Sequence, residues 1–198
     1  MSKKDEYRGA EAVVSIGEAE VRKHRVPKGY RAGWLDARLR AERARAEARL
    51  LSSARRAGVP TPIVLDLDGD VLVLQRVAGP QLKECITSEL AGMAGEVVGR
   101  LHGAAIVHGD LTTSNMLWTG QRVVLIDFGL AYSSPQMEDQ ATDLHVFFQT
   151  LRSTHRDDPE LRRAFEEGYQ RTYTRAAAVL EREREVERRG RYKGVGQG

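Results

Sequence analysis

The sequence predicts an α+β protein of two unequal lobes: a small β-rich lobe holding one long helix, followed by a reduced, mainly helical lobe. Three observations carry that expectation. Strand-like alternation fills the first 78 residues apart from one Ala/Arg/Glu-rich stretch with helical spacing, Gly79-Pro80 breaks the pattern, and 3.6-residue periodicity dominates afterwards. With 198 residues, 41% of them hydrophobic and 30% charged, the chain can bury a core, which excludes the disordered and low-complexity classes. Its longest uninterrupted apolar run, AAAVL at 176–180, is five residues, whereas a bilayer-spanning helix needs roughly 20. MSKKDEY opens on charges with no apolar stretch behind it, so no secretory signal and no membrane association are expected, and a cytoplasmic setting is. The single cysteine, Cys85, leaves no partner for an intrachain disulfide or a CxxC zinc site.

Residues 9–16 (GAEAVVSI) and 18–26 (EAEVRKHRV) read as the strands of a hairpin turning at Gly17. Over 35–57, Leu35, Leu39, Ala46, Leu50 and Ala54 recur at helical spacing, and Gly58 and Pro60 end the helix. Residues 63–66 and 71–77 are strand-like around the Asp68-Gly69-Asp70 turn, which completes a first lobe over 1–78. Beyond the Gly79-Pro80 hinge, 81–87 and 89–103 are helical, and 104–107 is a short apolar segment running into HGDLTTSN at 108–115. Short strands at 116–118 and 123–126 pair across Thr119-Gly120-Gln121. Helices at 139–154, 158–174 and 175–190 then complete a second lobe over 79–187. The end of the chain, 188–198, is basic and Gly-rich and is expected to be mobile.

The chemistry-bearing residues lie in two loops. His108, Asp110 and Asn115 are spaced H-x-D-x-x-x-x-N, and Asp127, seventeen residues after Asp110, opens Asp127-Phe128-Gly129 directly after the strand pair. Phosphoryl transfer asks little covalent chemistry of a protein. It needs metal ions across the phosphates, a carboxylate near the attacking oxygen and a cation on the phosphates that are not transferred. Asp110, Asn115 and Asp127 are oxygen donors of the kind hard Mg2+ takes, and the two loops together, in order, are far more specific than either alone. A protein-kinase-like fold is therefore expected, binding ATP and Mg2+ between the lobes. Asn115 and Asp127 would sit on the metal and Asp110 at the nucleophile. The missing cation belongs on a first-lobe strand with a helical carboxylate as partner. Lys23 in EVRK fits the strand and Glu47 shares a helix face with Leu50 and Ala54, while spacing leaves Lys28 and Glu42 open as rivals. Charge is uneven: residues 22–56 carry twelve basic and three acidic side chains, net +9, and 57–150 carry four and eleven, net −7. The first block suits phosphate-bearing partners, the second a divalent cation.

This constellation resembles the small atypical serine/threonine kinases known as PRPK in animals, the kinase subunit of the KEOPS (EKC) complex, in its minimal archaeal form. GAEA (9–12), VRKHRVPKGYR (21–31), LDARLRAERARAEARLL (35–51), GVPTP (58–62), LHGAAIVHGDLTTSNML (101–117), IDFGLA (126–131), EDQATDL (138–144) and the basic tail carry the resemblance, which covers nearly the whole chain. It assigns the lysine to Lys23 and the partner glutamate to Glu47, and it accounts for HGD at Gly109 where ordinary protein kinases have HRD. It implies catalytic roles for Lys23, Glu47 and Asp110, backbone hydrogen bonds to adenine from Gln75 and Val77, and a structural Asp143 holding the catalytic-loop backbone. His102 and His108 are expected to be packed rather than catalytic. The setting implied is threonylcarbamoyladenosine modification of tRNA. There the kinase subunit would contact the universal carbamoyl-transferring subunit and a small regulatory subunit, and would reach tRNA through the assembled complex.

Three departures from ordinary protein kinases shape the activity expected. No G-x-G-x-x-G lid follows Gly9, only 13 residues separate Gly129 from Asp143 with no A-P-E sequence, and the chain runs 69 residues past Gly129. ATP hydrolysis or a narrowly restricted phosphorylation fits these absences better than general signalling. Two alternatives are a small-molecule phosphotransferase of the aminoglycoside or choline type and a non-catalytic nucleotide-binding scaffold. The first would normally carry a larger helical second lobe. The second would have lost one of Lys23, Glu47, Asp110, Asn115 and Asp127, all of which are present.

Overall fold

The structure, a computed structural model, describes residues 5–9, 12–30, 32–155 and 158–194. Five strands build the first lobe: β1 (Asp5–Arg8), β2 (Ala12–Ile16), β3 (Glu20–Arg25), β4 (Val64–Asp68) and β5 (Val71–Gln75). They join antiparallel in the order β1-β2-β3-β5-β4. The sequence does not predict β1, because DEYR holds one apolar residue and shows no alternation. It is an edge strand carried by its backbone ladder to β2, with Tyr7 opposite Val14. The strand expected over 9–16 starts at Ala12, after the Gly9 N–H closes a turn onto the Ala12 carbonyl at 2.9 Å; its residues Ala10 and Glu11 lie outside the described residues. β5 stops at Gln75, so Val77 belongs to the connection between lobes.

Between β3 and β4 runs α1 (Gly33–Arg56), whose buried stripe is mostly small: Ala44, Ala48, Leu51 and Ala54, with Glu47 among them. Small side chains let the helix approach the sheet, and the one long polar group on that stripe is carried inward with it. The connection to the second lobe is tied to it directly, as the Trp118 N–H donates to the Pro80 carbonyl at 3.0 Å.

In the second lobe, α2 (Leu82–Cys85) is shorter than expected, and α3 (Ser88–Gly103) is capped by the Thr87 hydroxyl, which accepts from the Leu90 N–H. Two small antiparallel pairs follow, β6 (Ile106–Val107) with β9 (Tyr132–Ser133) and β7 (Met116–Trp118) with β8 (Val123–Leu125). A 3-10 turn at Thr113–Asn115 precedes β7. The last helices are α4 (Met137–Thr154), α5 (Pro159–Thr172) and α6 (Ala176–Gly194). Phe147, Phe148, Phe165 and Tyr169 fill the core between α4 and α5, the rings of Phe147 and Phe165 stacking at 4.3 Å. Of the expected tail, residues 188–194 continue α6 through Gly194, while 195–198 lie outside the described residues. No helix among the described residues is long and apolar enough to cross a membrane.

Candidate active site

Alternation along β3 turns Lys23 and Arg25 to the same buried face and His24 outward. That face meets Glu47, midway along α1. Glu47 Oε1 accepts from Lys23 Nζ at 2.7 Å and Oε2 from Arg25 Nη2 at 2.8 Å. Lys23 Nζ also donates to Asp127 Oδ1 at 2.5 Å, which ties the first lobe to the loop after β8. Burial by itself would lower the Lys23 ammonium, but the Glu47 and Asp127 carboxylates outweigh it and hold its pKa above the ordinary lysine value. Burial likewise pushes Asp127 up, and the Lys23 charge and hydrogen bond, helped by the Gly129 N–H at 3.1 Å, bring it below the usual carboxylate range. Of the rivals left open by spacing, Glu42 lies on the exposed side of α1 with Arg38 at 2.8 Å. Lys28 sits in the β3–α1 connection with its backbone N–H on Asp36 Oδ1.

Asp127 has a φ of +60°, a left-handed conformation that Asp tolerates and most side chains do not. Phe128, next to it, is buried, and its ring packs 5.0 Å from that of His108, whose Nε2 is 3.0 Å from the Ile126 carbonyl. The His108–Asp110 loop is fixed from the other side by buried Asp143. Its Oδ2 accepts from the His108 N–H at 2.8 Å and its Oδ1 from the Gly109 N–H at 2.9 Å, with His102 Nε2 at 3.2 Å. Both histidines are thus packed and hydrogen-bonded. Gly109 has φ +77°, and a Cβ there would stand 2.4 Å from the Leu130 carbonyl oxygen. Only glycine lets the two loops lie this close.

With its neighbours pinned, Asp110 is left exposed at the surface of the loop. The 3-10 turn brings Asn115 back onto it, so that Asn115 Nδ2 donates to both Asp110 Oδ2 and the Asp110 carbonyl at 2.9 Å. With its amide nitrogen committed there, the Asn115 side-chain oxygen is the atom left for a cation. No three His, Cys, Asp or Glu residues come together as a metal site among the described residues. The Asn115 side-chain oxygen and the Asp127 carboxylate are hard oxygen donors of the kind Mg2+ takes alongside phosphate and water. Gln75 and Val77 do not join this cluster. They line a cavity of about 240 Å³ with Arg55, Thr61 and Arg122 that includes none of the five charged or amide residues above, and the Gln75 N–H is spent on the Ile63 carbonyl. Sequence reasoning missed Arg25, although its two-residue offset from Lys23 already placed it on the same face.

A family profile described as the RIO domain matches residues 20–144. A probable bifunctional tRNA threonylcarbamoyladenosine biosynthesis protein of Methanoculleus marisnigri is 57% identical over 93% of this chain and 35% of its own length. The chain thus spans about a third of such bifunctional relatives. A probable serine/threonine-protein kinase BUD32 homolog of Archaeoglobus fulgidus is 42% identical over 94% of this chain and 95% of its own. Among solved structures, the Rio2 kinase-ADP/Mg2+-phosphoaspartate complex of Chaetomium thermophilum superposes with a TM-score of 0.67 at 16% identity, over 89% of this chain and 64% of that one.

Proposed function

Since the chain belongs to the RIO-domain family, in its BUD32-type branch, we propose that it transfers the terminal phosphoryl group of ATP to water or to a restricted hydroxyl acceptor. It would do so in the cytoplasm, in support of tRNA threonylcarbamoyladenosine synthesis. One observation carries the reading: Lys23 Nζ is shared between buried Glu47 and exposed Asp127, 2.7 and 2.5 Å away. Glu47 orients Lys23, and Lys23 moves from Asp127 to the phosphates that stay behind. Released from the ammonium, Asp127 and the Asn115 side-chain oxygen would hold Mg2+, which would supply positive charge against the phosphates. Asp110, its carboxylate aimed by Asn115 Nδ2, orients the attacking water or hydroxyl and takes its proton. Gln75 would offer adenine its main-chain carbonyl, its N–H being held by Ile63, and Val77 its main-chain groups, rather than side chains.

The name of the bifunctional relatives, and the third of their length that this chain matches, support action beside a second activity in tRNA threonylcarbamoyladenosine synthesis; in the proposal that activity is a carbamoyl-transferring partner, joined by a small regulatory subunit, with tRNA reached through the assembly. The test is to incubate the pure chain with γ-labelled ATP and Mg2+, alone and with the carbamoyl-transferring partner, and to follow free phosphate and labelled protein together. Turnover is expected in at least one arm. Turnover no higher than that of Asp127→Ala in both arms rejects the reading.

A further inference from the structure

Glu47 is 2% exposed and has two counter-ions, of which the proposed reaction uses one. An ammonium has three N–H donors, so Lys23 can keep Glu47 Oε1 while it turns to phosphate, but its one positive charge is then shared with ATP, and a buried carboxylate with no other cation would be left short of compensation, at a steep cost. Arg25 removes that difficulty. It is itself buried, it donates to Glu47 Oε2 at 2.8 Å while Lys23 takes Oε1, and a guanidinium stays charged at every physiological pH. The four groups balance, with two cations on β3 against one carboxylate on α1 and one on the loop after β8, so Asp127 can lose Lys23 without unpairing the other three. The cluster also abuts the Asp127-Phe128-Gly129 turn, where a Cβ on Gly129 would stand 3.0 Å from Lys23 Nζ and 3.7 Å from Arg25 Nη2.

We infer that Arg25 is a positioning residue, the permanent counter-ion of Glu47 that frees Lys23 to exchange between Asp127 and the phosphates of ATP. This rests on the proposed function, because it presumes that Lys23 meets phosphate. If Arg25 is removed, Glu47 competes with ATP for Lys23, so nucleotide capture suffers more than the chemical step.

The experiment measures ATP turnover and binding of a fluorescent Mg2+-ATP analogue by the full chain as wild type, Arg25→Met, Arg25→Lys, Glu47→Gln and the Arg25→Met/Glu47→Gln double variant, with exposed Arg45→Ala as control. Arg25→Met is expected to raise KM and Kd for nucleotide about tenfold while kcat changes less than threefold. Arg25→Lys should recover most of the loss, and in the Glu47→Gln background Arg25→Met should add less than twofold. Unchanged Kd in Arg25→Met overturns the inference. So does a tenfold loss that persists undiminished in the Glu47→Gln background, which would put Arg25 to work elsewhere. A wild type that binds nucleotide without turning it over sinks the proposed reaction and leaves the binding arm to decide on Arg25. A wild type that binds none sinks both.

Discussion

Lys23 is held by two carboxylates of different exposure, 2% for the Glu47 side chain and 52% for that of Asp127, and the difference divides their duties. The buried one fixes the lysine and the open one can be exchanged for a ligand. Lys23→Ala and Asp127→Ala should each lower ATP turnover by a factor of about a thousand or more, since each deletes charge from the developing transition state. Circular dichroism should show both variants folded, and wild-type turnover in either would reject the assignment. Asp110→Asn keeps the shape and the contact with Asn115 but loses the charge and the base, so turnover should fall by about 10²–10⁴ with nucleotide affinity intact. Weakened affinity with full turnover at saturation would make Asp110 a binding residue instead. The pH dependence follows from Asp127, whose pKa is held below the usual carboxylate range chiefly by Lys23 acting against burial. A depressed carboxyl contributes stability above its unfolded value near 4, and that contribution disappears as pH falls through the lower folded value. Thermal unfolding of the wild type should therefore decline more steeply below about pH 4 than that of Asp127→Asn, and parallel slopes would show that the pair adds nothing. Asp110, Asn115 and Asp127 were legible in the sequence from motif spacing, whereas Lys23 and Glu47 were singled out over Lys28 and Glu42 only by the family resemblance. Arg25 was missed because no motif marks it, although strand alternation puts it on the same face as Lys23.

Helices α3 and α5 approach so closely that backbone meets backbone. A Cβ on Gly95 would stand 2.1 Å from the Phe165 carbonyl oxygen, and one on Gly168 would stand 2.0 Å from that of Gly92. No rotamer change relieves such a clash, so the helices must part. Gly95→Ala should cost about 3 kcal/mol, at the upper end for overpacking. That lowers the melting temperature by roughly 6–12 °C for a chain of this size, and a shift under 2 °C would mean the crossing is looser than it stands. Because α3 leads through β6 into the Asp110 loop, the same variant should also lose activity before it melts. Elements with strong periodicity were readable to within a few residues, as α1, α3 and α4 show. Those without it were not. β1 carries one apolar residue and exists only through pairing. The last turns of α6 are Gly- and Arg-rich and are held upstream by Glu183, which is fully buried against Arg162 at 2.6 Å and His145 at 3.2 Å.

Across the whole molecule, charge is sorted by position: net +9 over 22–56, net −7 over 57–150, and four further cations at Arg188, Arg189, Arg191 and Lys193. Part of the +9 block is consumed internally, by Lys23 and Arg25 at Glu47 and by Arg40 at Asp36, while Arg45 and Arg49 stand exposed on α1. Of the four further cations, Arg189 makes one long approach, to Glu185 at 3.7 Å. Four cations within residues 188–193 suit binding to phosphates by charge rather than reading of bases, and Tyr192, which splits the run, reduces their share. The folded clamps on α6 end at Glu187, which accepts from Arg152 at 2.7 Å and Arg162 at 3.3 Å. Cutting the chain after Glu187 therefore spares both of those ion pairs and removes all four cations. ATP turnover by the isolated truncated chain should stay within twofold of wild type. Binding of tRNA by the complex assembled with the carbamoyl-transferring partner should weaken at low salt. The slope of log K against log salt should also become shallower, by about 0.9 for each phosphate of a duplex stem that the removed cations had neutralised and about 0.7 for each on a single strand. Equal tRNA affinity for the full and truncated complexes across the salt series would leave the end of α6 a solvated helix terminus with no share in tRNA binding.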